Sequence, residues 1–482
     1  MAFDAGTIAA RPFRVGLFGI GLAAYWPQFD GLKDKLTGYL GTVEGKLARP
    51  GVEVVNLGLV DSVEAGVAAG HDLREADVDI VFLHVTTYAL SSTVLPAVRR
   101  ARVPVVILNL QPVAAMDYAA FNALNDRTRM TGDWLANCGA CPVPEIANVF
   151  ARAGIEVHQV TGVLDGDPVV DGAIESWIEA GRVAHVLEHS RVGVMGHYYN
   201  GMLDIQSDLT LQSAAFGTIF EHVEMDELAA IRAALSEDEI AAARSRILAE
   251  FDIQEGCDPA EIDRAARTAA ALFKLVETRG LGAMAYFFHS VPGHAHEDII
   301  ASVILGCSML TGAGVPVAGE YEIKNAMAMK IMDAFGAGGS FTEYYAMDYT
   351  DDVVLMGHDG PGHVAIAEGR TKVRPLEVYH GKVGRGLSVE MSVKQGPVTL
   401  LSVIERAGKV SLLVAEGECT AGPILEIGNT NSRYRFPIGA RAFTESWNAA
   451  GPAHHCAVGI GHVAEKIEKL AKLLKLEVTR VC

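Results

Sequence analysis

The stretch VDIVFLHVTTYALSSTVLPAVRRARVPVVILNL, residues 78–110, contains two short apolar runs rich in β-branched residues, with a helix-like segment, Ala89–Ala101, between them. Apolar runs without polar alternation are typical of strands buried on both faces, and the order strand, helix, strand favours parallel pairing. The stretch therefore predicts one βαβ unit of a doubly wound parallel sheet.

The same pattern extends on both sides of this unit. Towards the N-terminus lie the runs RVGLFGI (14–20) and VEVVNLGLV (52–60), which complete an α/β domain predicted over residues 1–165. Beyond it, the runs RVGVMGHYY (191–199), TIFEHVEM (218–225) and AMAYFFHS (283–290) alternate with helix-like segments. They predict a second doubly wound α/β domain over residues 166–325, whose long helical region is amphipathic scaffold.

The C-terminal part of the chain has a different pattern. Short alternating runs broken by Gly and Asn occupy residues 364–369, 387–393, 398–419 and 423–436, and a final helix is expected over His462–Leu474. This pattern predicts an antiparallel β-barrel-like domain over residues 326–482.

Composition excludes several classes of protein. The chain has 482 residues and a formal net charge of −19, which repels a nucleic-acid backbone and favours a small ligand. The uncharged stretch 299–319 contains Gly and Pro, so we expect a buried helix and a short strand there, not a membrane span.

The seven cysteines indicate free thiols and a cytoplasmic location, and the first residues show no signal peptide. Cys138 and Cys141 have C-x-x-C spacing, which suits a redox pair or half a zinc site, although structural cysteines have the same spacing.

A dinucleotide site would need more than the chain provides. Gly19 and Gly21 follow the first strand, but Ala24 stands where the third glycine of the fingerprint belongs, and the acidic candidate Asp61 is too far along the chain. We therefore expect a tight loop here, not an NAD site.

Two carboxylates and several imidazoles in the C-terminal half suggest a metal centre. Glu320, Glu343 and His358 each lie where a predicted strand or helix meets a loop, and the pair His454 and His455 follows about a hundred residues later. Oxygen and imidazole donors without thiolates suit Mg²⁺, Mn²⁺ or a similar ion. Each residue also has an ordinary alternative, as a solvated helix start, a strand-edge charge or a turn residue.

Five other polar side chains near these segments have open roles. Lys324 lies one helical turn after Glu320 and would pair with it or be solvated. The run His294-Ala-His296-Glu297 favours a helix start over a zinc motif, and Asp204 suits a helix cap.

The segments GEYEIKNA (319–326), GGSFTEYY (338–345), DVVLMGH (352–358) and AHH (453–455) resemble the metal-binding half of the L-arabinose isomerase family, within the wider L-fucose and L-arabinose isomerase group. The segment GHYYNGMLD (196–204) is similar to a central-domain segment of that group. The resemblance implies an aldose–ketose isomerase of three domains that works through an enediol.

Carried over position by position, the resemblance implies that Glu320, Glu343, His358 and His455 ligate a divalent metal, Mn²⁺ before Mg²⁺ or Co²⁺. Glu320 and Glu343 are then the catalytic pair, and His454 faces the substrate. The family also implies a homo-oligomer, a trimer or hexamer, with sites at subunit interfaces.

The N-terminal loops depart from the family. Gly21 replaces a usual Gln, Thr86 replaces a usual Phe, and the region of Cys141 replaces a usual His. Gly21 and Thr86 are therefore expected substrate-binding positions, on a surface that differs from that of the family. Trp447 is a candidate aromatic face for stacking against a sugar. A non-catalytic sugar-binding protein or sensor is the alternative hypothesis.

Overall fold

The computed structural model describes residues 11–291, 293–376, 378–379, 382–383 and 385–482. The described chain forms two compact units, residues 11–185 and residues 186–482. Residues 1–10, on which the expectation about a signal peptide partly rests, lie outside the described residues. The division into three domains at residues 165 and 325 stays a prediction.

The first unit contains the predicted parallel sheet. Its strands pair in the order β2-β1-β3-β4-β5, all parallel, which confirms the βαβ pattern of residues 78–110. They are β1 (Phe13–Ile20), β2 (Val52–Val60), β3 (Ile80–His84), β4 (Val105–Gln111) and β5 (His158–Val163). This order places the topological switch point between β1 and β3.

Among the described residues up to Glu188, seven α-helices are present. They are α1 (Leu32–Leu47), α2 (Val63–Glu75), α3 (Ser91–Ala101), α4 (Tyr118–Ala123), α5 (Arg127–Leu135), α6 (Val143–Arg152) and α7 (Pro168–Glu188). Helices α2 and α3 pack closely because Gly66 and Gly70 of α2 face the backbone of α3, and a Cβ at Gly66 would lie 2.1 Å from the Thr93 carbonyl oxygen.

The loop after β1 contains Gly21 and Ala24, two positions of the dinucleotide fingerprint. The chain passes through a 3₁₀ turn, Ala23–Tyr25, and α1 begins only at Leu32. Asp61, the acidic candidate for a ribose, instead accepts a hydrogen bond of 2.7 Å from Trp26 Nε1. Both observations agree with the expectation of a tight loop.

The second unit begins with another parallel sheet, which confirms the second α/β pattern. Its order is β10-β9-β6-β7. The strands are β6 (Arg191–Gly196), β7 (Ile219–Val223), β9 (Ala283–Phe287) and β10 (Val317–Ala318), while the short β8 (Asp252–Ile253) pairs elsewhere. The helices are α8 (Leu209–Phe216), α9 (Met225–Ala233), α10 (Glu237–Glu250), α11 (Pro259–Arg279), α12 (Ala295–Ile300), α13 (Ile304–Gly312) and α14 (Ile323–Ala334).

The uncharged stretch 299–319 folds as expected. It contains the buried helix α13 and the short strand β10. Within the described residues, no helix is both long and apolar enough to cross a membrane.

Helix α14 is buried almost all round, and residues 323–332 are all buried. It packs on β9 and β10 on one side and on barrel strands on the other, and its sequence IKNAMAMKIMDA is apolar on every face except for a few paired polar residues. Its first turn is therefore fixed between the central sheet and the C-terminal strands.

The C-terminal part forms a closed antiparallel barrel, as the alternating runs predicted. Six strands pair in the order β17-β20-β11-β12-β19-β18, and pairing of β17 with β18 closes the ring. They are β11 (Ser340–Asp348), β12 (Val353–His358), β17 (Gly396–Arg406), β18 (Lys409–Thr420), β19 (Thr430–Arg435) and β20 (Cys456–Ile460). Outside the ring lie β13 (Lys372–Pro375), β14 (Val378–Tyr379), β15 (Lys382–Val383), β16 (Leu387–Glu390), β21 (Glu477–Arg480), α15 (Ala440–Ala449) and α16 (Ala464–Leu474).

The hairpin of β17 and β18 has a turn whose backbone conformation follows from its local sequence. Arg406 pairs with Lys409, so the loop has only two residues, Ala407 and Gly408, with φ of 51° and 72°. Positive φ at both positions is the type I′ arrangement that suits the twist of a hairpin, and Gly408 adopts it without steric cost.

Two apolar runs of the C-terminal part differ from the expectation. Residues 364–369 begin with a 3₁₀ turn, Val364–Ile366, and not with a strand. Of residues 423–436, only Thr430–Arg435 forms a strand, because Pro423 has no N–H to donate and Gly428 turns the chain with φ of 82°.

Candidate metal centre

The turn between β10 and α14 presents the first carboxylate. Glu320 and Tyr321 have φ of 56° and 62°, in the left-handed region that costs a non-glycine residue of order 1–3 kcal/mol. The turn is held by hydrogen bonds from Tyr321 N to Tyr286 O (3.0 Å) and from Glu322 N to Gly319 O (2.9 Å). Strained backbone of this kind is concentrated at functional sites.

Three adjacent barrel strands supply the other side chains. Thr342 of β11 pairs with Cys456 of β20, and continuing this register by one residue places His455 opposite Glu343. On the other side of β11, Glu343 pairs with Gly357, the neighbour of His358. Glu343 lies inside β11, so its predicted position at a junction with a loop is wrong; Glu320 and His358 do lie at such junctions.

The four predicted ligands come together in space. The Nε2 of His455 lies 3.5 Å from Glu320 Oε2 and 3.7 Å from Glu343 Oε2, and the Nε2 of His358 lies 3.8 Å from Glu320 Oε1. Bonds of about 2.0–2.3 Å to one ion would place neighbouring ligand atoms about 3–4 Å apart. These atoms form two overlapping triads that each have the spacing of cation ligands, Glu320 with His358 and His455, and Glu343 with His454 and His455.

Two donor atoms of this cluster satisfy another requirement of a cation site. Glu320 Oε2 and His455 Nε2 are buried and have no hydrogen-bond partner among the described residues. Leaving such atoms unpaired in the interior is costly, and a cation between them removes that cost. The donor set of carboxylates and imidazoles therefore fits a divalent ion.

A second carboxylate orients His455. Glu322 accepts a hydrogen bond from His455 Nδ1, and both side chains are 0% exposed. With the proton on Nδ1, the lone pair of Nε2 points to the cluster, which is the usual arrangement of a histidine that binds metal. Sequence reasoning missed Glu322, and the only signal for it was its position two residues after Glu320.

An aromatic ring packs against both buried imidazoles. The Phe341 ring centroid lies 4.4 Å from that of His358 and 4.3 Å from that of His455. Phe341 thereby limits the rotation of both rings and excludes water on that side of the cluster.

The electrostatics of the cluster follow from its burial. Desolvation raises the pKa of Glu320, and the nearby His455 partly opposes that shift. His454 Nε2 lies 2.6 Å from Glu343 Oε2, and this hydrogen bond raises the pKa of His454. The His454 side chain is 48% exposed, so it is the member of the cluster that solvent reaches most readily.

Lys324 and Asp204 brace the cluster in ways that differ from the expectation. Lys324 is neither solvated nor paired with Glu320; it is buried and donates to the backbone carbonyls of Asp204 and Gln206. Asp204 is not a helix cap, because its Oδ2 accepts from the backbone N–H of His454 at 2.8 Å, and Asp208 caps α8 instead.

The other candidate residues lie elsewhere. Trp447 is 2% exposed in the core of the barrel, with its ring 5.7 Å from that of Phe443, so core packing occupies the face proposed for a sugar. His294 caps α12, as expected of a helix start. In the first unit, Gly21 follows β1, and the hydroxyl of the buried Thr86 donates to the Ile20 carbonyl.

Comparisons with known proteins place part of the chain near one family. Residues 338–477 match the L-arabinose isomerase C-terminal domain. L-arabinose isomerases of Shewanella sp. strains MR-4 and MR-7 are each 24% identical to the chain over 328 residues, which cover 64% of this chain and 63% of each relative. The aligned part thus spans less than two thirds of these relatives.

A solved structure, an ABC transporter solute-binding protein from Burkholderia multivorans, aligns with a TM-score of 0.16 and 11% identity, covering 64% of this chain and 98% of that protein. A score this low does not establish a common fold. The resemblance that the chain shows is to the L-arabinose isomerases, through a C-terminal domain that contains Glu343, His358 and His455.

Proposed function

We propose that the protein is a metal-dependent aldose–ketose isomerase acting on a small sugar. The observation that carries the proposal is the convergence of Glu320, Glu343, His358 and His455, with His455 oriented by the buried Glu322. A sugar-binding protein without catalysis has no need of such a cluster. The similarity to L-arabinose isomerases supports the same class of reaction.

Glu320, Glu343, His358 and His455 would hold the divalent ion, Mn²⁺ in the first instance, with Mg²⁺ and Co²⁺ as the alternatives. When bound, such an ion polarises the substrate carbonyl and stabilises negative charge that develops on it. The imidazole and carboxylate donors of the chain favour these ions over a structural zinc site built on thiolates.

The two carboxylates are the proposed proton carriers. Aldose–ketose conversion removes a proton from C2 and returns one to C1 through an enediol, and a carboxylate within reach of both carbons serves as base and then as acid. Glu320 and Glu343 flank His455 Nε2 at 3.5 Å and 3.7 Å, so a substrate held at the cluster would be adjacent to both.

His454 is the proposed substrate contact at the open side of the cluster. Its backbone is held by Asp204 and its ring by Glu343, while half of the side chain stays accessible. The loops that contain Gly21 and Thr86, contributed by a neighbouring subunit, are the proposed remainder of the sugar-binding surface. Their departures from the family pattern favour a small aldose other than L-arabinose.

The assembly and location belong to the same proposal. We expect a homo-oligomer, a trimer or hexamer, with sites at subunit interfaces, and no nucleic-acid partner. All seven cysteines are free thiols, which supports the cytoplasm as the compartment. Light scattering coupled to size exclusion measures the oligomer, and an active monomer would contradict this part.

The decisive experiment combines metal and substrate. The metal-stripped protein is incubated with Mn²⁺, Mg²⁺ or Co²⁺ and a panel of tetroses, pentoses and hexoses in D₂O, and the ketose and its deuterium content are measured by NMR. We expect one or a few aldoses to be converted only when metal is present. Conversion carries solvent deuterium at C1 if a carboxylate exchanges its proton with solvent.

The opposite result is equally informative. Binding of a sugar in calorimetry, with no ketose from any aldose under any metal, would replace the isomerase by the sugar-binding hypothesis. Turnover that persists after metal removal would retain an isomerase but reject the metal centre.

A further inference from the structure

The C-x-x-C segment lies outside the candidate metal centre and has a defined position in the first unit. Cys138, Gly139, Ala140 and Cys141 connect α5 to α6 at the carboxyl ends of β3 and β4. A Cβ at Gly139 would lie 2.5 Å from the Val85 carbonyl oxygen, so only glycine allows the segment to approach β3 this closely.

Side chains at the carboxyl ends of β3 and β4 form hydrogen bonds to the backbone that leads into this segment. Thr87 Oγ1 donates to the Leu135 carbonyl at 2.7 Å, and Gln111 Nε2 donates to the Asn137 carbonyl at 3.0 Å. The backbone N–H of Cys138 donates to Leu135 O at 3.2 Å. The two cysteines therefore sit on a braced turn and not on a loose loop.

The two thiols differ in accessibility. Cys138 is buried and Cys141 is exposed, and both are free. Burial, with the neighbouring Cys141, raises the pKa of Cys138 to about 12. Cys138 is thus held as a thiol at neutral pH, while Cys141 is the sulfur that a dissolved reagent meets first.

The surroundings of Cys138 and Cys141, as far as the structure describes them, do not provide the further ligands that a zinc site needs. Among the described residues, sets of three His, Cys, Asp or Glu donors within ligand distance occur only in the cluster of Glu320, Glu343, His358, His454 and His455. A zinc site needs at least three protein ligands, and the cysteine pair supplies two.

We propose that Cys138 and Cys141 are a redox site that closes reversibly to a disulfide, with a hydroperoxide as the oxidant. The Cys141 thiolate attacks the terminal oxygen of the hydroperoxide, the O–O bond breaks, and Cys141 becomes a sulfenic acid while the departing hydroxide or alkoxide takes a proton to give water or an alcohol. The Cys138 sulfur then attacks the Cys141 sulfur, the S–O bond breaks, and the Cys138 proton leaves with the second water.

The stoichiometry balances without a protein cofactor. Two thiols and one hydroperoxide group give one disulfide, one water and one further water or alcohol, and the two electrons lost by sulfur reduce the O–O bond. A dithiol returns the pair to the reduced state by exchange. The site is independent of the proposed isomerase, and its test uses no activity assay.

Trypsin makes the test specific. Cleavage after Arg129 and Arg152 releases residues 130–152 as one peptide, which contains Cys138 and Cys141 and no other cysteine. The native protein is treated with hydrogen peroxide, and its remaining thiols are alkylated under denaturing conditions. After digestion with trypsin, the mass of the peptide is measured by mass spectrometry. We expect a peptide without alkyl groups, lighter than the reduced one by two hydrogen atoms, that dithiothreitol returns to the doubly alkylated form.

Single variants separate the two roles. In Cys138→Ser, peroxide should leave Cys141 as sulfenic or sulfinic acid; in Cys141→Ser, Cys138 should stay alkylatable at the same dose. Cys482→Ser serves as a control, in which the peptide should close as in the wild type. Failure of the wild-type peptide to lose both thiols, or faster oxidation of Cys138 than of Cys141, would overturn the proposal.

Discussion

The imidazole of His455 donates through Nδ1 to the carboxylate of Glu322, and both side chains are fully buried. The same imidazole presents Nε2 to Glu320 and Glu343. Glu322, which is not one of the four proposed ligands, thus determines which nitrogen of His455 faces the cluster. Substitution of Glu322 should therefore change the affinity of the protein for a divalent metal.

Glu322→Gln should weaken Mn²⁺ binding by about 10–100-fold, because the neutral amide no longer holds the Nδ1 proton as strongly. Electron paramagnetic resonance of free Mn²⁺ measures the affinity. Isomerase activity should fall at limiting Mn²⁺ and recover at saturating Mn²⁺. Glu445→Gln, on an exposed position of α15, is the matched control and should bind as the wild type does. Equal affinities in both variants would show that Glu322 is only structural.

Glu320→Gln and Glu343→Gln should each lower kcat by about 10²–10⁴-fold, since each removes a proposed proton carrier. Saturating Mn²⁺ should not restore activity, which distinguishes these positions from Glu322. Ketose formation and exchange of the C2 proton are both followed by NMR. If either variant keeps wild-type turnover, its catalytic assignment is rejected.

Removal of the divalent ion should lower the Tm of the protein and remove its activity together. A ligand that binds only the folded state at a concentration 100 times its Kd adds about 2.7 kcal/mol. Differential scanning calorimetry before and after EDTA, and after return of Mn²⁺, measures this. In the double variant H358N/H455N, Mn²⁺ should no longer raise the Tm; a persistent rise would place the ion elsewhere.

Trp447→Phe should reduce stability and leave the KM for the sugar unchanged, because the indole lies in the barrel core beside Phe443. The truncation Trp447→Ala should cost about 3–5 kcal/mol of unfolding free energy. Urea unfolding and steady-state kinetics test the two statements. A raised KM in a fully folded Trp447→Phe would restore Trp447 to the substrate site.

Asp79 should make the first unit sensitive to acid. Burial acts to raise its pKa, but hydrogen bonds from His185, Arg11 and the Arg14 N–H lower it below the usual value of about 3.9. A carboxyl whose folded pKa is depressed contributes stability above its unfolded pKa and loses that contribution as pH falls through the folded value. The loss therefore occurs below about pH 4.

Asp79→Asn should accordingly speed amide exchange in β1 and β3 at pH 7, with the difference from the wild type shrinking as pH falls below about 4. Hydrogen–deuterium exchange mass spectrometry compares the two proteins at each pH. Asp77→Asn is the control, because Asp77 is exposed and pairs with Arg11 only at the surface. A difference that is constant with pH would exclude titration of Asp79 as the cause.

Local sequence determined most of the secondary structure. Continuous apolar runs such as residues 80–84 and 105–108 form strands that are buried on both faces, so the parallel strands could be predicted from them. The helices that cover these strands could be predicted for the same reason. The alternating run of residues 398–419 likewise contributed to the prediction of an antiparallel barrel. The donor residues of the metal centre were identifiable because they stand in segments that resemble a known family.

Only the tertiary structure decided which polar groups meet. Glu322 and His455 are 133 residues apart, and no local pattern reports a hydrogen bond between them. Lys324 was expected to pair with Glu320 or to be solvated, yet it is buried and donates to carbonyls of a distant segment. Burial follows from the hydrophobicity of neighbouring residues, whereas the partner of a buried polar group depends on the packing of the whole fold.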